Sequence, residues 1–353
     1  MCLFGCISFI PHNASVYYLL AGFTLRGLLG VGASAVFVSA QTYITYTFPQ
    51  SSVFMLSLLG AVGGLGSISG PAIGGGLYAL SGFWLIFVTV GLATLSFGIL
   101  MVFLLPSYDS KKSMQPRDHK CMDVSEAVSS PAQLQRSHLY ARIICDRRMI
   151  LGLLVTMFSA AAWHAFDPIL EPELRKTYDL PKSKTSLIFL LIPTAFVIMT
   201  PIAGKIMDKL KYLDGLGMTA LGFAILATAF LFAGPAPFIP IDKRLWLLLV
   251  CLTVSGLANS WIFVPPQEMT FNIKRLNLSS DEEKIAAKGF MSGCWNACYA
   301  SGVCLGMVMS GSIQEVTNWS WAMMFYFVGS VGFIIIILLV KITELKSWQN
   351  LFN

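Results

Sequence analysis

The sequence predicts an all-α membrane protein, and three observations carry that prediction. The first is composition: of 353 residues, 56% are apolar and 12% charged, with a mean hydropathy of +0.70. A soluble globular chain carries about 25% charged residues because its surface must be solvated. Aqueous enzymes, nucleic-acid readers and disordered scaffolds are thereby excluded. The second observation is a series of nine apolar stretches, roughly 16–46, 51–77, 82–105, 148–171, 185–207, 214–234, 245–271, 288–313 and 319–341. An α-helix needs about 20 such residues to cross ~30 Å of hydrocarbon. The runs are too long for barrel strands and lack their period-two alternation. Third, residues 106–147 are polar, mixed in charge and rich in Ser and Pro, and they separate three stretches from six.

Taken in order, the stretches break at turn formers: Phe48-Pro49-Gln50, Leu80-Ser81-Gly82, Gly234-Pro235-Ala236-Pro237 and Thr317-Asn318. Residues 1–10 are apolar but too short to span, and they lack the basic start and small-residue cleavage site of a signal peptide. They read as the last turns of a helix. The domains expected are a bundle remnant over 1–105, a linker over 106–147, a six-helix bundle over 148–341 and a tail over 342–353. Orientation follows from Lys and Arg near the helix ends. The linker with Arg148, the 205–211 turn, the 272–288 loop and the tail with Lys341 hold 17 basic residues, against 6 in the alternate connections. The basic set faces the cytosol, and the C-terminus with it. None of the eight cysteines forms a CxxC pair, so no metal knuckle is indicated.

An internal repeat is also visible. Gly66, Gly70 and Gly75 map onto Gly302, Gly306 and Gly311 with a constant offset of 236, each set followed by an aromatic pair and another apolar run. That pattern suits a parallel repeat of six-helix halves. Extended backwards, it places the start of the first half roughly 90 residues before Met1.

Three motifs carry a family likeness. Arg26 followed by Gly30 and Gly32 resembles the fourth-helix motif of the major facilitator superfamily. Gly66-Ser67-Ile68-Ser69-Gly70-Pro71-Ala72-Ile73-Gly74-Gly75 resembles the fifth-helix motif of its proton-coupled antiporters. Gly204-Lys205-Ile206-Met207-Asp208-Lys209 resembles the cytosolic turn after the second helix of a half. Phe166-Asp167-Pro168-Ile169-Leu170, Val254-Ser255-Gly256-Leu257 and Pro265-Pro266-Gln267-Glu268 add a resemblance to the vesicular amine transporters, and within them to the vesicular polyamine branch. The resemblance implies a twelve-helix fold of which this chain holds nine complete helices and the end of another, the first two being absent. It also implies proton-driven uptake of organic cations into acidic vesicles. Where the monoamine members carry acids in the tenth and eleventh helices, this chain has Asn259 and Asn296.

The marked residues have physical readings of their own. Gly-rich 66–76 (Gly66, Gly70, Gly74 and Gly75 around Pro71) is expected to let another helix approach closely, with Pro71 as a kink. Arg26 lies within a span, where a guanidinium costs at least ~2.5 kcal/mol; it should face the bundle interior, a water path or an acidic partner. Gly204, Asp208 and Lys209 are expected to form a latch between helices, or a plain solvated helix end. Pro265 and Pro266 should break their helix, leaving Glu268 as a cation or proton site, or paired with Lys274 or Arg275. Trp163, His164, Trp295 and Tyr299 are an aromatic wall for cations or ordinary packing.

The strongest expectation concerns Asp167. A continuous helix over 148–171 places it in the lumenal part of the span, with Glu171 on the same face one turn later. Pro168 would leave the His164 carbonyl without a helical donor, so that carbonyl and two mutually repelling carboxylates would form an ammonium pocket. The residues expected to hold substrate or proton are therefore Asp167, Glu171, Glu268, Arg26, Asn296 and Trp163. The function expected is proton antiport of organic cations, polyamines before others, by a monomer in an intracellular vesicle membrane. Two alternatives stand beside it: a multidrug/proton antiporter of the plasma membrane, and a truncated membrane protein that does not transport. No nucleophile–base pair, phosphate loop or metal cluster is apparent, so neither enzyme activity, cofactor, metal nor nucleic-acid partner is expected.

Overall fold

The computed structural model describes residues 1–5, 15–104, 139–209, 214–235, 243–272, 278 and 280–352. Among the described residues all regular structure is helical. The elements are α1 (Cys2–Gly5), α2 (Ser15–Thr47), α3 (Ser52–Ser81), α4 (Phe83–Leu104), α5 (Arg147–His164), α6 (Leu170–Tyr178), α7 (Lys182–Phe189), α8 (Leu191–Lys209), α9 (Gly215–Ala233), α10 (Leu245–Phe271), α11 (Asp281–Val316) and α12 (Trp319–Phe352). Most of the 106–147 linker lies outside the described residues.

Among the described residues, seven helical segments are long and apolar enough to cross a membrane: Val16–Thr47, Ser52–Ser81, Phe83–Leu104, Lys184–Lys209, Gly215–Ala233, Leu245–Phe271 and Trp319–Glu344. The sequence reading expects nine. The two that differ are α5 and α11. α5 is only 18 residues long and includes Arg147, Arg148 and His164. α11 is 36 residues long but dilutes its apolar content with three acids in its first turn and many small or polar residues.

The chain divides into two compact units. One comprises residues 1–36 and 70–139. Within it α1 packs on α4, through a Phe4–Phe87 ring pair at 4.8 Å and close approach of Gly91 to Cys2. The other comprises residues 37–69 and 140–353. α10 is its central post, packed against α5, α8 and α9, while α11 packs on α5 and α12 on α9. The core is aromatic: Phe166 stacks on Phe230 at 5.4 Å, and Phe223 on Phe333 at 5.3 Å. Trp319 Nε1 donates to the Ala233 carbonyl at 2.9 Å, tying α12 to the end of α9. The division between units crosses α3 at Ser69–Gly70, immediately before the internal Pro71.

Two helix boundaries depart from expectation in opposite senses. The helix expected over 148–171 ends at His164. Pro168 has no N–H for the His164 carbonyl, and the Asp167 N–H takes that carbonyl instead, at 3.3 Å. Leu170 N–H then bonds the Phe166 carbonyl at 2.9 Å and α6 begins, with Pro172 in its first turn, where no intrahelical donor is required. In contrast, Pro265 and Pro266 do not break α10, which runs through them to Phe271. Neighbouring helices on three sides hold it in line.

Candidate functional site

The break between α5 and α6 brings two ionisable side chains together. Phe166 and Ile169 flank Asp167 and are each 1% exposed, so they anchor the turn in the core. The Asp167 carboxylate turns outward and accepts from His164 Nδ1 at 2.7 Å. Half-buried His164 and the more open Asp167 therefore form a carboxylate–imidazole pair on one tight turn. Glu171 does not continue the helix that leads to Asp167. It starts a new helix and lies 3.9 Å from Arg175, one turn along α6. The carbonyl of His164, expected as a free acceptor, is the one taken by the Asp167 N–H.

Next to this pair runs a chain of rings from four helices. Trp163, at the end of α5, meets Phe196 of α8 edge-on at 4.7 Å. Phe196 meets Phe263 of α10 at 5.4 Å, Phe263 meets Trp295 of α11 at 5.5 Å, and Trp295 stacks on Tyr299 at 5.4 Å. Tyr299, at the far end of the run, feels the charge of Asp167. Ring faces carry negative quadrupole density and attract cations by about 0.5–2 kcal/mol each. Sequence alone identified Trp163, His164, Trp295 and Tyr299; the two phenylalanines that join them come from α8 and α10.

Uncharged polar side chains bond one another in the interior of this unit. Ser159 donates to Asn259 Oδ1 at 3.4 Å, and Asn259 Nδ2 donates to the Ser255 carbonyl at 2.9 Å. Thr200 and Ser260 share a hydrogen bond at 2.9 Å. Among the described residues, Trp295 Nε1, Ser255 Oγ, Gln267 Oε1, Thr270 Oγ1 and Gln41 Oε1 are buried with no hydrogen-bond partner. Such atoms are rare in folded proteins because each forfeits its hydration; this unit holds five. Asn296 is half-buried on α11. Among the described residues, no group of three or more His, Cys, Asp or Glu gathers as a metal site would require.

The other residues singled out by sequence lie elsewhere. Glu268 is exposed, and its carboxylate reaches Gly215 at the start of α9, where an anion is favoured by the helix dipole. Lys274 and Arg275 lie outside the described residues. Arg26 is exposed in the smaller unit, with its guanidinium 4.8 Å from the Phe4 ring centre. Gly66, Gly70, Gly74 and Gly75 have open space where a side chain would sit, while Gly302 and Gly306 press against the backbone of Met157 and Ala161. Gly204 packs against Ser57 and Phe54. Asp208 Oδ2 accepts from the Phe54 N–H at 2.9 Å, capping the first turn of α3, and Lys209 is exposed.

Two charged residues escaped sequence reasoning. Lys288 is 6% exposed, and its ammonium donates to the Thr45 carbonyl at the end of α2. At the edge of an apolar stretch it reads only as a basic flank. Glu173, also 6% exposed, accepts from Lys243 Nζ and from Thr177 Oγ1, each at 2.8 Å. Its spacing from Lys243 is too long for any sequence rule to link them. The pair fastens α6 to the residues that lead into α10.

Comparison with known proteins agrees with this architecture. Residues 1–275 and 152–352 match the profile of the Major Facilitator Superfamily. The chain is similar to the MFS-type transporter SLC18B1 of Homo sapiens, 26% identical over 320 residues, which cover 91% of this chain and 64% of that protein. The counterpart from Mus musculus is 25% identical over the same shares, and that from Rattus norvegicus 24%. The chain therefore spans somewhat less than two thirds of the relatives it matches.

Proposed function

Since the chain belongs to the Major Facilitator Superfamily, a family of membrane transporters, we propose that it serves a proton-coupled antiporter of organic cations, of the polyamine class, in the membrane of an acidic vesicle. The observation that carries this reading is the 2.7 Å contact between His164 Nδ1 and Asp167 Oδ2. One carboxylate then has two alternative cationic partners, the imidazolium and a substrate ammonium. Histidine is the side-chain type whose charge changes between about pH 5 and 8. With a neutral imidazole, Asp167 is open to an ammonium. With a proton on the ring, the imidazolium competes for the carboxylate and expels the substrate. A proton arriving and a cation leaving are thus one exchange at one residue. The aromatic arc holds the alkyl chain and further amines of the substrate.

Uptake into proteoliposomes with an acidic interior tests the reading. Labelled spermidine should accumulate, a bulky dye cation should not, and collapsing the pH gradient should stop the process. Accumulation of the dye alone would point to multidrug exchange, and of neither to a chain that does not transport. His164→Gln, which removes the competing cation, should weaken the coupling of spermidine uptake to the proton gradient; unchanged coupling excludes His164 as the competitor.

The same reading places residues 106–147 and the C-terminus in the cytosol, following the excess of Lys and Arg on that set of connections. Epitope tags at both places should stain only after the plasma membrane is permeabilised. A linker tag visible on intact cells reverses the orientation.

A further inference from the structure

The rings at the middle of the aromatic arc rest on a helix that contributes no ring to it. Along α3, Phe54, Ser57, Gly60 and Gly64 recur at helical spacing, so they share one face. Each packs inside the larger unit, to which this half of α3 belongs. The Phe54 N–H is held by Asp208 at 2.9 Å, and Ser57 lies against Gly204. A methyl group on Gly60 would stand 2.7 Å from Phe263 Cε1. One on Gly64 would stand 2.6 Å from Val197 Cγ2 and 3.3 Å from Phe196 Cδ1. Phe196 and Phe263 are the two rings that connect Trp163 to Trp295. The absence of a side chain at 60 and 64 thus decides where those rings can lie. Gly63, on the same helix, has open space on its side-chain face.

We propose that Gly60 and Gly64 are positioning residues of the cation site, seating Phe263 and Phe196 so that the aromatic arc runs unbroken from Trp163 to Tyr299 beside Asp167. Neither glycine touches the substrate; each acts through the ring above it. The inference rests on the reading of Asp167 and the arc as a cation site. Its physical content is that aromatic packing is directional. The T-shaped contacts of Phe263 with Phe196 and with Trp295 are interplanar angles of 77° and 78°, and a ring pushed aside by a new methyl group loses both contacts at once. Helix propensity pulls in the opposite direction, because alanine favours a helix interior over glycine. Gly60→Ala should therefore weaken binding without weakening the fold, which separates positioning from general damage.

The experiment measures binding of labelled spermidine to the purified 353-residue chain in detergent, with near-UV circular dichroism and the thermal midpoint as parallel readouts. Gly60→Ala should weaken binding about tenfold, the scale expected when a site group is displaced by less than ~1 Å. It should also change the near-UV signal of the ring stack and leave the thermal midpoint unchanged or raised. Gly63→Ala, which adds the same methyl group to open space, should bind as the unaltered chain does. In a Phe263→Leu background the effect of Gly60→Ala should vanish, since the ring it displaces is gone. Equal affinity for Gly60→Ala and Gly63→Ala overturns the inference, and so does a loss that persists in the Phe263→Leu background. Asp167→Asn separates the two levels. If it retains full affinity, or if the unaltered chain binds no spermidine, the site reading fails and the inference with it. If Asp167→Asn loses affinity while Gly60→Ala does not, the inference alone fails.

Discussion

An Asp167→Asn protein is expected to lose spermidine uptake, with at least a tenfold fall in affinity. The substitution keeps the size and one acceptor of the side chain but removes the charge for which imidazolium and ammonium compete. Hydrogen bonds to charged groups are worth about 1.5–3 kcal/mol, and ~1.4 kcal/mol is a factor of ten in affinity. The aromatic arc alone cannot replace that, because ring quadrupoles attract cations without fixing the position of an amine. Folding should be spared: the turn is anchored by Phe166 and Ile169 at 1% exposure, while the carboxylate itself points outward. Expression and size-exclusion profile should therefore match those of the unaltered chain. Glu171→Gln, which touches only the surface pair with Arg175, should have a smaller effect. Normal uptake by Asp167→Asn would reduce this acid to a solvated turn residue.

Gly306→Val should have the largest effect on the fold itself. α11 crosses α5 with Gly302 on Met157 and Gly306 on Ala161, and the atoms met at Gly306 are backbone, including the Ala161 Cα 2.6 Å from where a methyl would stand. Backbone cannot rotate away as a side chain can. The same turn receives the Tyr326 hydroxyl on the Gly306 carbonyl at 2.9 Å, so a shift of α11 would also disturb its contact with α12. Overpacking a tight core costs about 1–3 kcal/mol, and a β-branched side chain against fixed backbone belongs at the upper end. Gly311→Val is the matched control, because Gly311 faces open space on the same helix. Thermal midpoints of the two in detergent decide the matter. Equal values would mean that α5 and α11 separate at little cost.

Those glycines also show where sequence reading reaches its limit. A constant offset links Gly66 and Gly70 to Gly302 and Gly306, and both sets were open to the same reading of close helix approach. Only the second set meets another backbone, because periodicity describes a face and says nothing of what arrives at it. Proline is similarly two-valued. Pro168 ends α5, yet Pro265 and Pro266 lie inside an unbroken α10. The difference is tertiary: α10 is held by three neighbours, whereas after His164 the chain restores its hydrogen bonds through a turn. Helical class and the helices in their order were legible because hydrophobic length is a local property. Asp167, His164, Trp163, Trp295 and Tyr299 were legible as chemically unusual residues in apolar surroundings. Phe196, Phe263 and Gly60 were not, since one aromatic or one glycine in a membrane helix looks like any other until its neighbour is known. The pairing of Glu173 with Lys243 is hidden for the same reason.

The turn between α2 and α3 is gripped by Lys288 on the Thr45 carbonyl and by Asp208 on the Phe54 amide. In both contacts the turn offers main-chain atoms, a carbonyl that every amino acid possesses and an amide that all but proline possess. The vocabulary of the contact is therefore one-sided. Lys288 and Asp208 must keep their identities, whereas the atoms they grasp survive almost any change in the letters at 45 and 54. The four residues between the helices, Phe48 to Ser51, can drift while the grip stays intact, so kinship among such chains would be written at positions 208 and 288 and erased across the loop they hold.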